Sequence, residues 1–345
     1  MKTKHFTIPA ILLAVIMAAC NTSAQKSSNE SNNSDTLVQS ESPKEEPAAP
    51  QVNYNDFPVA YVKNSVLYFF NPENETTVQF TEETDSVFNC VYSDRDAMFY
   101  YSVSRNGMLS FKKVDLSTTP VQPQLIIDLN KPAQEFFSQT NYDKANLKFL
   151  ENNLLLEYDF IWDFYSFTKL INISLKDNST SIIDWDQFEQ KYGYHPRSNE
   201  KPTKNYNSIY KKAMQLDLSK YKFEGEDEDF ETECFFKGAS ADGSKIVFSI
   251  MLGMGDLAHG PNCVANADGT MIKLLQDTDM SDELKPLWCN NNLLYYRSYD
   301  AKTEDENEIA KRINELCYTR ATDNTPVLID QDVDYFAVRN KHPVN

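Results

Sequence analysis

The most informative segment of the chain is Ala239-Ser240-Ala241-Asp242-Gly243-Ser244-Lys245-Ile246-Val247-Phe248-Ser249. It joins an Asp-Gly pair to an apolar run of β-branched and aromatic residues. Asp and Gly tolerate a positive φ, so the pair suits a tight turn, and the run that follows is typical of a β-strand. A second segment of this kind is Asn266-Ala267-Asp268-Gly269-Thr270-Met271-Ile272-Lys273-Leu274-Leu275. Both segments predict antiparallel strands that are joined by short turns.

Similar turns recur along the chain. They contain Asp115, Asp177, Asp268 and Asp323, and each turn is followed by another apolar run. A looser fifth copy extends from Asn71 to Thr77. Each copy predicts two outer strands joined by a turn. The interval between Asp177 and Asp268 is the longest, and it can hold either a further unit or an insertion.

Additional strand pairs precede some of these turns, for example Val87 to Tyr92 with Ala97 to Val103. Four strands in a unit of roughly 40 to 50 residues is the period of a β-propeller. The first unit begins at Val59 without an inner strand, and one extra strand, Val333 to Val338, is left at the end. We therefore predict an all-β propeller of five or six four-stranded blades. Its ring is closed by the C-terminal strand, which removes exposed sheet edges.

The two segments quoted first also carry a family resemblance. The segment from Ala239 to Ser249 resembles the S-P-D-G-x-x-I-x-F-S core of the WD40-like repeat that is found in TolB and in the propellers of prolyl-oligopeptidase relatives, with Ala241 in place of the usual Pro. The segment from Asn266 to Leu275 is similar to the N-A-D-G-x-x-x-x-L-T part of the same repeat. The resemblance implies a divergent TolB-like propeller. It does not imply a TolB function, because one fold supports many functions.

The first residues have the composition of a secretory signal. Two lysines precede an apolar run that ends at Met17, and small residues then lead to Cys20. This run is shorter than the roughly 20 residues of a membrane-spanning helix. The segment around Cys20 resembles the bacterial lipobox, which implies cleavage before Cys20 and lipidation of its thiol. With Asn21 as the next residue, the resemblance implies the outer membrane. We expect residues 1–19 to be a lipoprotein signal peptide.

The segment that follows differs from the rest of the chain. Residues 20–56 are rich in Ser, Asn, Gln, Glu and Pro and contain few large apolar residues. Such a composition cannot bury enough surface to offset the entropy of ordering, so we expect a lipid-anchored, disordered linker. Residues 57–345 are expected to form the propeller domain. Within it, the spacing of Ile309 and Ile313 predicts one helix from Glu304 to Leu316.

Charge and cysteine content restrict the classes of partner. The chain has 33 basic and 51 acidic side chains and a net charge of −18. Such a surface repels phosphate backbones, so nucleic acid is not an expected partner. Apart from Cys20, five cysteines remain, and none of them forms a C-x-x-C pair. No disulfide framework can be deduced, and buried cysteines that act as small apolar residues are the simplest interpretation.

No motif for catalysis or metal binding stands out. Gly238-Ala239-Ser240-Ala241-Asp242 lacks the final glycine of a serine-hydrolase elbow. The histidines beyond the signal segment are His195, His259 and His342, and they lack the H-E-x-x-H spacing of zinc enzymes. The acidic run from Glu224 to Asp229 lacks the alternating spacing of a calcium loop. We assign no catalytic residue and expect neither a metal nor a cofactor.

One loop is a candidate binding site. Gly253 to Gly260 is the most glycine-rich stretch of a chain that has only nine glycines. It is predicted to connect two strands at the rim of the propeller, where binding residues tend to lie. Asp256 and His259 are therefore the candidate binding residues. A plain connecting loop is the alternative.

Two functional hypotheses follow from the sequence. The leading one is a lipid-anchored extracytoplasmic propeller that acts as a non-catalytic binding or scaffold protein for a protein or glycan partner. It would be located in the bacterial cell envelope, at the periplasmic or surface face of the outer membrane. The alternative is a glycan-acting hydrolase that uses carboxylates in the propeller funnel. Sequence alone selects no carboxylates for that role.

Overall fold

A computed structural model describes residues 52–339 of the chain apart from 94–97, 140–144, 163–164, 194–203, 222–231, 254–258, 277, 279–285 and 301–311. These residues belong to one compact unit, Gln51–Asn345. They form five four-stranded sheets in which all strand pairs are antiparallel. No helix in the described part of the chain has the length and apolar character needed to cross a membrane.

Each sheet forms one blade, in which the first strand named is the innermost and the last is the outermost. Blade 1 contains β20 (Val333–Val338), β1 (Val59–Lys63), β2 (Val66–Asn71) and β3 (Thr76–Gln79). Blade 2 contains β4 (Ser86–Ser93), β5 (Met98–Arg105), β6 (Met108–Val114) and β7 (Gln124–Asp128). Blade 3 contains β8 (Asn146–Leu150), β9 (Asn153–Trp162), β10 (Tyr165–Ser174) and β11 (Ser179–Ile183). Blade 4 contains β12 (Glu233–Ala239), β13 (Lys245–Met251), β14 (Asn262–Asn266) and β15 (Lys273–Leu275), and blade 5 contains β16 (Leu287–Cys289), β17 (Asn292–Asp300), β18 (Arg312–Thr319) and β19 (Pro326–Gln331).

The C-terminal strand closes the ring, as predicted. β20 pairs with β1 through Ala60↔Ala337 and Tyr61↔Phe336, so blade 1 combines the two ends of the domain. Phe336 and Ala337 are both buried. The five blades confirm the predicted all-β propeller, and the pairing leaves no open edge at the inner side of β1.

The predicted outer turns all join the third and fourth strands of a blade. Four aspartates shape them: Asp115, Asp177, Asp268 and Asp323 accept from the backbone N–H two residues later at N···O distances of 2.9, 3.2, 2.9 and 2.9 Å. The hydroxyl of that same Ser or Thr also donates to the carboxylate, and together these hydrogen bonds hold the pKa of each aspartate below its usual value. The recurring Asp is therefore explained by side-chain bonding to the turn, whereas in three of the turns the positive φ falls on the next residue, Asn178, Gly269 or Asn324.

Most neighbouring blades pack face to face, with buried side chains of both sheets in one cluster. Between blades 1 and 2, the rings of Phe69 and Phe99 lie 5.3 Å apart and both are fully buried. Comparable clusters join blades 2 and 3, blades 4 and 5, and blades 5 and 1. Burial of one such aromatic side chain contributes roughly 1.5–3 kcal/mol. We call these four contacts the direct junctions.

The junction between blades 3 and 4 is different, because helices cover the sheets there. Trp185 and Phe188 pack on blade 3, whereas Ile209 and Ala213 pack on blade 4. The long interval between two of the aspartate turns therefore holds an insertion, and we call residues 184–232 the insert. Its described elements are α2 (Trp185–Tyr192), α3 (Asn207–Ala213) and a 3-10 turn (Ser219–Tyr221), while α1 (Lys131–Gln139) lies in the connection from blade 2 to blade 3.

The prediction of a helix from Glu304 to Leu316 is wrong for residues 312–316. Residues 312–316 belong to β18, which pairs with β17 on one side and β19 on the other. Leu316 faces blade 1 and Cys317 faces blade 4, so the strand alternates between two buried surfaces. A strand that is buried on both faces has no polar side, and the spacing of two isoleucines then cannot distinguish it from a helix. Residues 304–311 lie outside the described residues.

Candidate functional site

The glycine-rich loop connects β13 to β14 and is closed by a short bridge. Leu252 and His259 exchange two backbone hydrogen bonds, with N···O distances of 2.7 and 3.0 Å. Gly260 follows with φ at +140°, and a Cβ at this position would lie 2.0 Å from the carbonyl oxygen of Ile250. Only glycine fits there. Asp256, the other predicted binding residue, lies outside the described residues.

His259 connects this loop to the insert. Its Nε2 lies 2.7 Å from the backbone carbonyl oxygen of Tyr221. Because a carbonyl oxygen only accepts, Nε2 carries the proton and donates it to this bond. The half-buried imidazole therefore holds the 3-10 turn of the insert in place. His259 is a positioning residue for the surface that Tyr221 lines.

A groove lies beside this contact, between the end of the insert and the outer parts of blades 4 and 5. Its volume is about 610 Å³, which falls in the roughly 300–1,000 Å³ range of typical ligand sites. We call it the lateral groove. It is lined by Leu216, Asp217, Lys220, Tyr221, Lys273, Leu274, Gln276, Tyr295, Arg297 and Pro326.

Two local features shape the lateral groove. The outer strand of blade 4, β15, has three residues, whereas β19 of blade 5 has six, so blade 4 covers only part of its neighbour. The insert forms the opposite wall. There Asp217 accepts from the Ser219 N–H at 3.1 Å and from its hydroxyl at 2.6 Å, which stabilises the start of the 3-10 turn. The neighbouring Leu218 is buried and anchors the wall.

The lining of the lateral groove is basic, in contrast to the chain as a whole. It contains Lys220, Lys273 and Arg297 but a single carboxylate, Asp217. The whole chain has 33 basic and 51 acidic side chains. Lys220 is exposed, whereas Lys273 and Arg297 are half-buried. Charges of one sign in a concave site focus the electric field and attract ligands of the opposite sign.

A buried carboxylate holds Arg297 at the groove wall. The Arg297 Nε pairs with Glu315, whose side chain is 2% exposed. The Tyr299 hydroxyl and the Gln331 amide donate to the same carboxylate at 3.0 and 2.7 Å. Burial by itself would raise the pKa of Glu315, but the hydrogen bonds from Gln331, Arg297 and Tyr299 outweigh it and hold that pKa below its usual value. Glu315 therefore stays ionised and orients the guanidinium.

Lys273 is positioned by blade 5. Its Nζ donates to the hydroxyl of Thr325 at 2.9 Å. A neutral hydroxyl does not cancel the charge of an ammonium group. Asp323 lies within electrostatic reach, and Lys273 helps to lower its pKa, so the positive charge that Lys273 adds to the groove is partly offset.

The central channel has a different character. The Tyr335 hydroxyl on β20 donates to the backbone carbonyl of Leu147 on β8 at 3.1 Å, so this side chain reaches from blade 1 to blade 3. The five inner strands contain two carboxylates, Glu233 and Asp334, and both are exposed. Asp334 accepts from the Asn64 N–H at 3.1 Å. Because both acids lie near the start of inner strands that run in the same direction, they are located at the same end of the ring.

Several other reactive groups in the described residues are paired or buried. Glu83 accepts from Lys112 and from the Tyr101 hydroxyl, both at 2.8 Å. The described part of the chain contains no group of three or more His, Cys, Asp or Glu that could hold a metal ion. Its five cysteines are free thiols, and burial raises the pKa of Cys90 and Cys263 well above the usual value. Such thiols act as small apolar residues.

The residues of the lateral groove were not predicted from the sequence. Lys273 lies within one of the repeat segments, whose turn and apolar run indicate a strand but no binding role. Arg297 offers the clearest signal, because it lies at the alternate position between Tyr295 and Tyr299 and therefore shares their face of the strand. A half-buried arginine among aromatic side chains needs an acidic partner.

No protein-family model matches the chain, and no curated protein matches it. Among solved structures, TolB from Acinetobacter baumannii is similar at 10% identity, with 83% of this chain and 68% of that chain covered and a TM-score of 0.37. A nidogen/laminin complex is similar at 8% identity over 83% of this chain and 99% of that chain, with a TM-score of 0.31. An oligogalacturonate lyase in complex with manganese is similar at 13% identity over 80% of this chain and 75% of that chain, with a TM-score of 0.30. Similarity this low says nothing about function, and the propeller assignment rests on the five sheets and their closure.

Proposed function

We propose that this chain is an extracytoplasmic, lipid-anchored propeller that binds or scaffolds a protein or glycan partner and catalyses no reaction. In this proposal residues 1–19 are removed as a signal peptide, and the thiol of Cys20 carries the lipid. Residues 20–56 connect the lipid to the propeller domain, residues 57–345, at the outer membrane of a bacterial cell envelope. Each buried acyl methylene adds roughly 0.8 kcal/mol, so several chains on one cysteine form a durable anchor.

The observation that carries the binding role is the lateral groove with its ordered basic side chains. The buried carboxylate at the groove, Glu315, is already engaged by Arg297, and Glu83 is likewise engaged by Lys112 of blade 2. A carboxylate that is held ionised at neutral pH has no proton to give, so Glu315 is a poor general acid. These features favour a site that holds a ligand over one that transforms it.

The alternative is a glycan-acting hydrolase. It is supported by one observation, the location of Glu233 and Asp334 at the same end of the ring. Glycosidases use two carboxylates on opposite sides of the scissile bond. Asp334 already accepts one backbone hydrogen bond, from the Asn64 N–H.

One comparison separates the two functions. The full-length protein is cross-linked in its native membrane and recovered, and Lys220→Glu/Lys273→Glu is treated in parallel. With the wild type, we expect one partner to be recovered in nearly the same molar amount as the protein itself. With the double variant, we expect this partner to be lost. Lys211→Glu is the matched control, because Lys211 is exposed on the insert but does not line the groove.

The hydrolase alternative is tested on the same preparation. Envelope glycans are incubated with the protein, and new reducing ends are counted. Turnover that is abolished in both Glu233→Gln and Asp334→Asn would replace the binding role with the enzymatic one. Absence of turnover together with a partner that depends on the groove supports the proposal.

The anchor has its own test. Cys20→Ala should move the protein from the membrane fraction to the soluble extract, because the lipid attachment site is lost. Cys90→Ala is the control, since that thiol is buried in the propeller. A Cys20→Ala protein that stays in the membrane fraction after its signal is cleaved would disprove the anchor.

A further inference from the structure

We infer that the lateral groove binds an acidic peptide segment of a partner protein, in extended conformation along the outer edge of β15. This inference rests on the proposed function and specifies the ligand class of the same site. It is carried by three independent properties of the groove, which are its charge, its apolar walls and the strand edge beside it.

The basic side chains that line the groove favour a negatively charged ligand. Lys220, Lys273 and Arg297 face one carboxylate in the groove lining. Arg297 pairs with Glu315 through its Nε, and a guanidinium group has the planar fork that matches a carboxylate. The rest of a chain with a net charge of −18 repels acidic partners, so this basic region also determines where such a partner can approach.

Apolar walls select an amphipathic ligand. Leu216, Leu274 and Pro326 line the groove beside the cations, and each is half-buried. An acidic segment with an apolar side chain at alternate positions would place that side chain against these walls and its carboxylates against the cations. In an extended peptide, successive side chains point to opposite sides, which gives this alternation.

The strand edge selects a peptide over a glycan. β15 is the outermost strand of blade 4, so the hydrogen-bonded order of that sheet ends with it. Lys273 and Leu274 belong to this strand and also line the groove. An extended peptide can add to such an edge through its own N–H and C=O groups, and side-chain sites then provide the selectivity. A glycan has no regular backbone donors to match this edge.

The test uses a fluorescently labelled peptide of alternating glutamate and leucine and measures its anisotropy with the full-length protein. We expect saturable binding that weakens as salt is raised. Lys220→Glu/Lys273→Glu should weaken binding at least tenfold, whereas the control Lys211→Glu should change it less than twofold. Because Lys220 is exposed, Lys220→Glu alone is expected to fold normally and to weaken binding about threefold.

Three results would overturn the inference. Equal weakening by Lys211→Glu would indicate attraction by overall charge, and binding of an oligogalacturonate but not of the peptide would indicate a glycan site. Absence of saturable peptide binding to a folded wild type would also exclude the inferred peptide site. In each case the proposed function is judged separately by the membrane cross-linking, because a partner can still depend on the groove when its ligand class is different.

Discussion

The direct junctions and the junction between blades 3 and 4 solve the same packing problem in different ways. At a direct junction, one cluster contains side chains of two sheets, as Phe69 and Phe99 show between blades 1 and 2. Between blades 3 and 4 each sheet has its own cluster, covered by its own helix. A sheet face needs apolar cover, and an amphipathic helix provides it as well as a second sheet does. Because helices cover the sheets there, the insert can add surface to the ring at the junction between blades 3 and 4.

That additional surface is where the candidate site lies. The insert that covers blades 3 and 4 continues to the 3-10 turn at Ser219–Tyr221, which lines the lateral groove. His259 of the glycine-rich loop holds this turn through the Tyr221 carbonyl. The direct junctions therefore supply the rigid scaffold, and the insert supplies one wall of the groove. Binding sites are commonly built on connections that a rigid scaffold positions.

The largest effect is expected from opening the ring at its seam. Deletion of 333–345 removes β20, including the buried Val333 and Phe336, and burial of two such side chains contributes about 3–6 kcal/mol. We expect the whole domain to lose its cooperative thermal transition, measured by circular dichroism. Deletion of 340–345 alone is the control, because β20 ends at Val338. A melting temperature that is equal in the two deletions would contradict the closure.

One side-chain truncation at each kind of junction tests the difference between the direct junctions and the junction of blades 3 and 4. Phe99→Ala should cost about 3–5 kcal/mol in the free energy of unfolding, because it leaves a cavity between two blades. Phe188→Ala should cost less, since undocking of α2 limits the loss. Both side chains are fully buried, so burial does not explain the difference. The check is urea unfolding together with hydrogen exchange, in which Phe188→Ala should expose mainly residues 185–192. Equal global effects would mean that the insert belongs to the same cooperative unit as the blades.

The sequence predicted the repeating parts of the molecule much better than the irregular ones. The aspartate turns and the closing strand are encoded in consecutive residues, because the Asp115 type of turn depends on a bond to the residue two positions later. The lateral groove depends on Leu216, Lys273 and Arg297, which come from three distant segments and meet only when the ring has formed. No local sequence pattern indicates that these residues lie together in the folded protein. Of the predicted binding residues, His259 lies beside the groove as a positioning residue.

A smaller effect, and one that depends on pH, is expected at the groove wall. Glu315→Gln should destabilise the protein by about 2–3 kcal/mol at pH 7, because it leaves Arg297 partly buried without its counter-charge. The pKa of Glu315 is lowered in the folded state, so its contribution is complete above the unfolded value of about 4.3 and is lost as the pH falls through the lowered value. The difference between wild type and variant in urea unfolding should therefore shrink below about pH 4. Glu75→Gln breaks an exposed pair with Arg320 and should have a smaller effect at pH 7.

The smallest effect is expected at the start of α2, and it sharpens the distinction between the two kinds of junction. Asp184 caps this helix by accepting from the Gln187 N–H at 2.9 Å, while the Gln187 side chain accepts from the Asp184 N–H at 3.0 Å. Asp184→Ala should cost about 1 kcal/mol of helix stability. Because α2 covers blade 3 alone, the loss should appear as faster hydrogen exchange in residues 185–192, with the direct junctions unchanged. Asp186→Ala is the matched control, since Asp186 lies in the first turn without being the cap. If both variants accelerate exchange equally, the cap does not determine how firmly α2 is held, and α2 is then attached to blade 3 mainly by the packing of Phe188 and by the bond from the Trp185 indole to Glu157 at 2.8 Å.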